Sequence, residues 1–409
     1  MLAPALGLLL AAIGGLFGAP GLVVVGVLVA LVGVLRGLWS QRGLRRVSYA
    51  RQLSATRTMW GEQLRLELTV RNRKLLPVPW LQVADHLSVD ATIEERQLLP
   101  AGRPGWGILQ TTWTLGWFER VTRRMTILAT RRGLFDFGAV QLRVADLFAR
   151  TSASVEVEQP LSYRVVPRIV PVRVAARASL MSGPSRATRG LFEEPSLFAG
   201  VRPYQPGDRL KRIHWKATAR RGRPLSRRFD PGREREALIA VDMQTVEGPY
   251  WEMIYDDDLA EGLCVAAASL ARRLLTDGIA VGLAVNAYSG RPHRTLHVPL
   301  GAGSGQLERL ADGLAGISPF ASVPFGTLLA ELPRRAPAGA GLFVLSARDP
   351  ADFGTALRRL VRSGFGVTLA AYGPAAPEHV ARARALGTDA ALLSLEPDWR
   401  SADALALVA

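Results

Sequence analysis

Three hydrophobic patterns succeed one another along the chain. Residues 2 to 39 are apolar almost throughout and hold a single charge, Arg36. A surface of that kind needs lipid or a protein core to cover it. The Gly18-Ala19-Pro20-Gly21 break divides the run into Leu2 to Phe17 and Leu22 to Trp39, which predicts a transmembrane helical hairpin over residues 1–40, with one continuous tilted span as the alternative. At about 1.5 Å per residue the first helix is roughly 24 Å long, short of a hydrocarbon core of about 30 Å. From 47 to 170 the period becomes two. In "LRLELTVRN", Leu64, Leu66, Leu68 and Val70 share one face while Arg65, Glu67, Thr69 and Arg71 share the other, the mark of a half-buried strand. Further strand-like runs at 79–87, 108–118, 121–130, 139–145 and 161–167, separated by turn residues, predict an antiparallel β-sandwich-like domain over 47–170 that serves as a scaffold.

From 237 to 409 the rhythm changes again. Short continuous apolar runs at 237–243, 279–287, 341–347, 366–372 and 390–395 alternate with helical stretches near 256–276, 305–315, 325–335, 350–363 and 377–386. Strands buried on both faces and joined by helices predict an α/β domain with a doubly wound parallel sheet. Residues 171–236 join the two patterned regions and belong plainly to neither.

Charge and cysteine content narrow the picture. The chain of 409 residues has one cysteine, Cys264, in an apolar helical stretch. That excludes an intramolecular disulfide and a cysteine metal cluster, and reads as a small buried hydrophobe. The formal net charge is +16, and residues 202–235 alone carry twelve Arg or Lys against three Asp or Glu. A local field of this strength is what attracts an anionic partner at physiological salt. Arg42, Arg45, Arg46 and Arg51 follow the apolar N-terminal run. By the positive-inside rule they place the globular part on the cytoplasmic side of an inner membrane. A cleaved signal peptide fits poorly, because the start lacks Lys and Arg and the apolar run is too long.

Ligands of an open α/β sheet bind beyond the C-terminal ends of its strands, where Asp242 follows "ALIAV". A carboxylate there could hold a divalent cation with hydroxyls at alternate positions, but Gln244 and Val246 occupy them, leaving Thr327 and Asp349 as distant oxygen donors. The predicted metal set is therefore none. "GAGSGQ" at 301–306 reads as a turn with Ser304 capping a helix; no nucleotide fingerprint or phosphate-binding loop is present. His86, His214, His293, His297 and His379 are scattered. No nucleophile elbow appears, so the chain reads as no enzyme and needs no cofactor.

The basic stretch "RPYQPGDRLKRIHWKATARRGRP" (202–224) pairs a Pro-Gly-Asp turn with apolar residues set among cations. Leu210, Ile213, Tyr204 and Trp215 are expected to pin it to the fold while Arg209, Lys211, Arg212, Lys216, Arg220 and Arg221 project outward. Followed within about ten residues by "ALIAVDM", and preceded by "TRRGLFDFGAVQLRVADLFA" at 130–149, this stretch resembles the signature of the bacterial DUF fifty-eight family. The resemblance implies an α/β part similar to a von Willebrand factor A domain, and a MoxR-type AAA+ ATPase as partner. It marks Arg202, Tyr204, Pro206, Gly207, Asp208, Arg212, Trp215, Lys216 and Arg220 as the partner-binding positions. The expected function is that of a membrane-anchored, non-catalytic adaptor. The alternative is nucleic-acid or anionic-lipid binding through 202–235.

Overall fold

A computed structural model describes residues 2–145, 151–174, 198–203, 213–229, 236–290, 295–337, 339–396 and 398–408. The chain divides into two units, Met1–Pro167 and Arg168–Ala409.

The first unit opens with two helices, α1 (Leu2–Leu16) and α2 (Pro20–Arg42). They run antiparallel at a distance that only glycine permits: a Cβ added to Gly7 would lie 2.3 Å from the Ala30 backbone nitrogen, and one on Gly26 would lie 2.3 Å from that of Ala11. Outward positions such as Leu8, Leu16, Phe17 and Val24 are apolar and exposed. This pair corrects the expected transmembrane hairpin, because among the described residues no helix is long and apolar enough to cross a membrane. With 15 residues, α1 rises about 22 Å. The apolar part of α2, from Pro20 to the charge at Arg36, rises about 24 Å. Each falls short of the roughly 30 Å that a span requires. The second helix is longer than the expected Leu22 to Trp39, running Pro20–Arg42, but its last turns carry Arg36 and Arg42 and are not apolar.

Two sheets follow. One has the order β1 (Val47–Leu53), β3 (Gln63–Asn72), β8 (Arg120–Leu128), β5 (Thr92–Ile93). The other runs β2 (Arg57–Met59), β11 (Leu161–Val166), β9 (Gly133–Ala145), β4 (Val78–Ser88), β7 (Trp106–Leu115), β6 (Leu99–Pro100), with β10 (Thr151–Val157) also on β9. The alternation in β3 does what period two demands: Leu64, Leu66, Leu68 and Val70 are buried. They share one core with Leu81, Val83, Trp113, Phe137 and Leu142 of the second sheet, so the sheets close face to face on a common apolar layer.

A charged pair crosses that layer. Arg51 of β1 donates from Nη1 to Asp85 Oδ1 of β4 at 3.0 Å, and both side chains are 1% exposed. Tyr49 donates its hydroxyl to Asp85 Oδ2 at 2.5 Å, and Arg51 also donates to the carbonyl oxygens of Gly138 and Gln159. Burial raises the Asp85 carboxyl against the pull of Tyr49 and Arg51.

The second unit holds an eight-stranded sheet in the order β12 (Val172–Val174), β21 (Leu405–Val408), β20 (Asp389–Leu395), β19 (Gly366–Ala371), β18 (Gly341–Ser346), β15 (Glu236–Val241), β16 (Ala280–Tyr288), β17 (Thr295–Gly301). Strands β20, β19, β18, β15 and β16 are parallel, whereas β17 lies antiparallel on β16 and β21 antiparallel on β20. The helices are α3 (Trp215–Arg221), α4 (Asp257–Thr276), α5 (Ser304–Ala315), α6 (Phe325–Glu331), α7 (Gly354–Arg362) and α8 (Ala376–Ala385). Counted in chain order from β15 to β20, the sheet reads 3-2-1-4-5-6, the doubly wound order whose direction reverses between β15 and β18. Cys264 is buried in α4. The residue capping α5 is Gly303, at φ 85°, and not Ser304, which is already the first helical residue. Outside the sheet, β13 (Phe198–Pro203) and β14 (Leu225–Phe229) form an antiparallel pair that brackets α3.

Candidate functional site

The reversal point of the sheet is marked by Asp242, the residue after β15, which is wholly buried. Three neighbouring segments donate to its carboxylate. Oδ1 accepts from the Gln244 backbone nitrogen at 3.1 Å and from Asn286 Nδ2 of β16 at 2.8 Å; Oδ2 accepts from Ser346 Oγ of β18 at 3.2 Å. Arg348 Nη1 stands 3.9 Å from Oδ2 and donates to Gln244 Oε1 at 2.6 Å, while Nη2 donates to Asp352. Burial pushes the Asp242 carboxyl up to about 6, with Arg348 and the three hydrogen bonds holding it back.

The donors around this carboxylate are amide, hydroxyl and guanidinium hydrogens, and the nearby positive charge is an arginine. In this arrangement the carboxylate's charge is balanced by a guanidinium 3.9 Å away and not by a cation ligand set. Of the distant oxygens, Asp349 caps Ala351 at 2.9 Å and pairs with Arg382, and Thr327 sits in α6. Among the described residues no group of three or more His, Cys, Asp or Glu could hold a metal ion.

What the network does hold is the loop between β15 and α4. Gln244, steadied by Arg348, donates from Nε2 to the Gly248 carbonyl at 2.6 Å. Thr245 Oγ1 accepts from the Asp256 backbone nitrogen at 2.8 Å, closing the loop's far end. Gly248 turns the chain at φ 126°, and Met253 takes φ 55°, a left-handed conformation rare for a side chain of its size. The tip so formed exposes Trp251 by 67%, Met253 by 52% and Ile254 by 60%. The sequence reading missed this tip, although apolar residues interleaved with acids in "EGPYWEMIYDDD" are a visible signal.

The basic element is built separately. Ile213 bridges to Ser226 of β14, and Ile213 and Leu225 are buried. His214 caps α3: its Nδ1 accepts from the Ala217 backbone nitrogen at 3.1 Å, and its own backbone nitrogen donates to the Leu225 carbonyl at 2.8 Å. Gly222 ends the helix at φ 65° with its N–H on Thr218 O. Of the predicted partner-binding positions, Trp215, Lys216 and Arg220 come together on α3 and are exposed, and Arg202 lies on β13 opposite Ser226. Tyr204, Pro206, Gly207, Asp208 and Arg212 lie outside the described residues. Trp215 corrects the expectation that it pins the segment. It is 66% exposed, because Ile213 and Leu225 supply the anchorage and leave the indole on the helix's free side.

Both constructions, the capped cationic helix and the carboxylate at the sheet's reversal point, fall inside one stretch of similarity. Residues 200–362 match the family described as "Protein of unknown function DUF58". The DUF58 match thus runs from β13 to the end of α7 and leaves out the first unit. Over 258 residues the chain is 24% identical to "Uncharacterized protein YeaD" of Bacillus subtilis (strain 168), covering 61% of this chain and 58% of that protein. The chain therefore spans little more than half the length of this curated relative. Among solved structures, the CARDB domain of the PF1109 protein from Pyrococcus furiosus is 15% identical, with a TM-score of 0.20 over 29% of this chain and 87% of that one. A β-glucosidase from Listeria innocua is 13% identical, with a TM-score of 0.19 over 29% of this chain and 16% of its own. Likenesses this low carry no argument about function.

Proposed function

We propose that the chain is a non-catalytic docking protein whose cationic helix α3 engages a MoxR-type AAA+ ATPase. One observation carries this reading: a short helix, capped at both ends and anchored by Ile213 and Leu225, holds Trp215, Lys216 and Arg220 toward solvent. An exposed indole beside guanidinium and ammonium groups is the composition of an interface hot spot, and it costs apolar exposure with no gain to the fold. The doubly wound sheet, with its reversal point occupied by a buried carboxylate beside Arg348, supports the von Willebrand factor A-like comparison in shape. It also supports a docking role over a metal-dependent one, since Arg348 already supplies the positive charge beside Asp242.

The test is copurification from the native cell. Tagged wild-type protein should retain an AAA+ ATPase identified by mass spectrometry, and Lys216→Glu with Arg220→Glu should lose it while the melting temperature stays within about 1 °C. Equal retention by the variant would remove α3 from the account. Retention of nucleic acid that falls steeply with salt would replace the ATPase with a phosphate backbone.

A further inference from the structure

In a chain of 51 Lys and Arg, none falls between Glu236 and Ala271, a stretch with eight Asp or Glu. Its exposed part is the loop held by the Asp242 network. There the exposed Glu247, Glu252, Asp256, Asp257 and Asp258 are interleaved in sequence with the exposed Trp251, Met253 and Ile254. Arg400 reaches Asp258 and Asp256 caps α4, while Glu252 stands between Trp251 and Met253 and Glu247 opens the loop four residues before Trp251. Residues 213–229 are the counterpart: six Lys or Arg, no Asp or Glu, and an exposed tryptophan.

We propose that the acidic, apolar loop 247–258 docks the cationic helix α3 of a second copy of this chain. Charge decides the pairing. A loop with five carboxylates, one of them paired with Arg400, meets a helix and strand that carry six cations and no carboxylate among residues 213–229, which steers encounter and fixes orientation. Apolar content supplies the adhesion, since Trp251, Met253 and Ile254 on one copy and Trp215 on the other leave water together. Both faces are built in advance, the loop by Gln244 and Thr245 and the helix by its two caps, so little ordering cost is added on contact. The contact is heterologous, joining different surfaces of the two copies. The inference needs no ATPase, although it occupies the same helix that the ATPase reading uses.

Sedimentation velocity on the 409-residue chain, with no ATPase present, tests it. The wild type should associate at about 50 mM salt and fall to monomer at about 500 mM, as screened charges require. Glu247→Lys with Glu252→Lys, and separately Lys216→Glu with Arg220→Glu, should each weaken association at least ten-fold. An equimolar mixture of the two variants should recover it, because each supplies the face that complements the other. A wild type that stays monomeric at both salts overturns the proposal, as does either variant associating like the wild type. In the latter case, loss of ATPase retention by the α3 variant would still leave the docking function standing. Unchanged melting of each variant excludes misfolding as the cause.

Discussion

Asp85 and Asp242 are both wholly buried carboxylates with an arginine in reach, one in each unit. Asp85 lies mid-strand. Its partners Tyr49 and Arg51 are themselves buried, and their side-chain bonds run to Asp85, Gly138 and Gln159, all within the first unit. Asp242 lies at a strand end. Its arginine is 14% exposed and passes the connection on through Gln244 to an exposed loop. The difference teaches where a buried charge becomes useful. Enclosed between two sheets it ties them together; at the open end of parallel strands it positions a surface.

Removing the arginine from the enclosed site should have the largest effect. Arg51→Met leaves Asp85 uncompensated, and denaturant unfolding should show a loss of about 3–5 kcal/mol. A loss below about 1 kcal/mol would mean that the carboxyl simply takes up a proton.

The next effect concerns Asp242 and pH. Its folded-state value of about 6 lies above the ordinary carboxylate value near 4. The folded protein therefore binds this proton more tightly than the unfolded one does. The resulting stability is complete below about pH 4, declines as pH rises to about 6, and is then gone, a change of about 3 kcal/mol. Stability of the wild type measured against Asp242→Asn across pH 4 to 8 should show that decline as the difference between them. Parallel curves would place the Asp242 carboxyl at its ordinary value and dissolve the contrast with a solvated acid.

Smaller changes sharpen the comparison on the surface side. His214→Ala removes the cap of α3 and should cost about 1 kcal/mol, with faster hydrogen exchange at the Ala217 amide. Trp215→Ala should change stability by less than about 0.5 kcal/mol, as an exposed side chain outside the core must, yet weaken docking. A large stability loss there would return the indole to the anchoring role that the sequence suggested.

Much of the architecture was legible because burial writes itself into spacing. Leu64, Leu66, Leu68 and Val70 gave β3 by alternation, and the unbroken apolar runs of β15, β18 and β19 gave strands covered on both faces. Edge elements were less legible. Strand β17, with Pro299 in its run, and the charged pair β13 and β14 depend on neighbours for their form. The position of Asp242 was foreseen from the strand end alone. Its partner Arg348, 104 residues beyond Gln244, was not, since only the fold brings them together. Trp215 was misread because an aromatic set among cations looks the same whether it packs inward or outward. The N-terminal run differs from a membrane hairpin because α1 ends after 15 residues and the uninterrupted apolar part of α2 stops at Arg36, lengths that the apolar composition alone does not reveal.

The central claim is that α3 is a docking element and not a structural cap. The purified 409-residue chain titrated against a purified MoxR-type AAA+ ATPase, the proposed partner, at about 150 mM salt tests it most directly. The account predicts measurable affinity for the wild type and at least a ten-fold loss for Lys216→Glu with Arg220→Glu at unchanged melting temperature. Equal affinities, or a wild type that does not bind the ATPase at all, would contradict it.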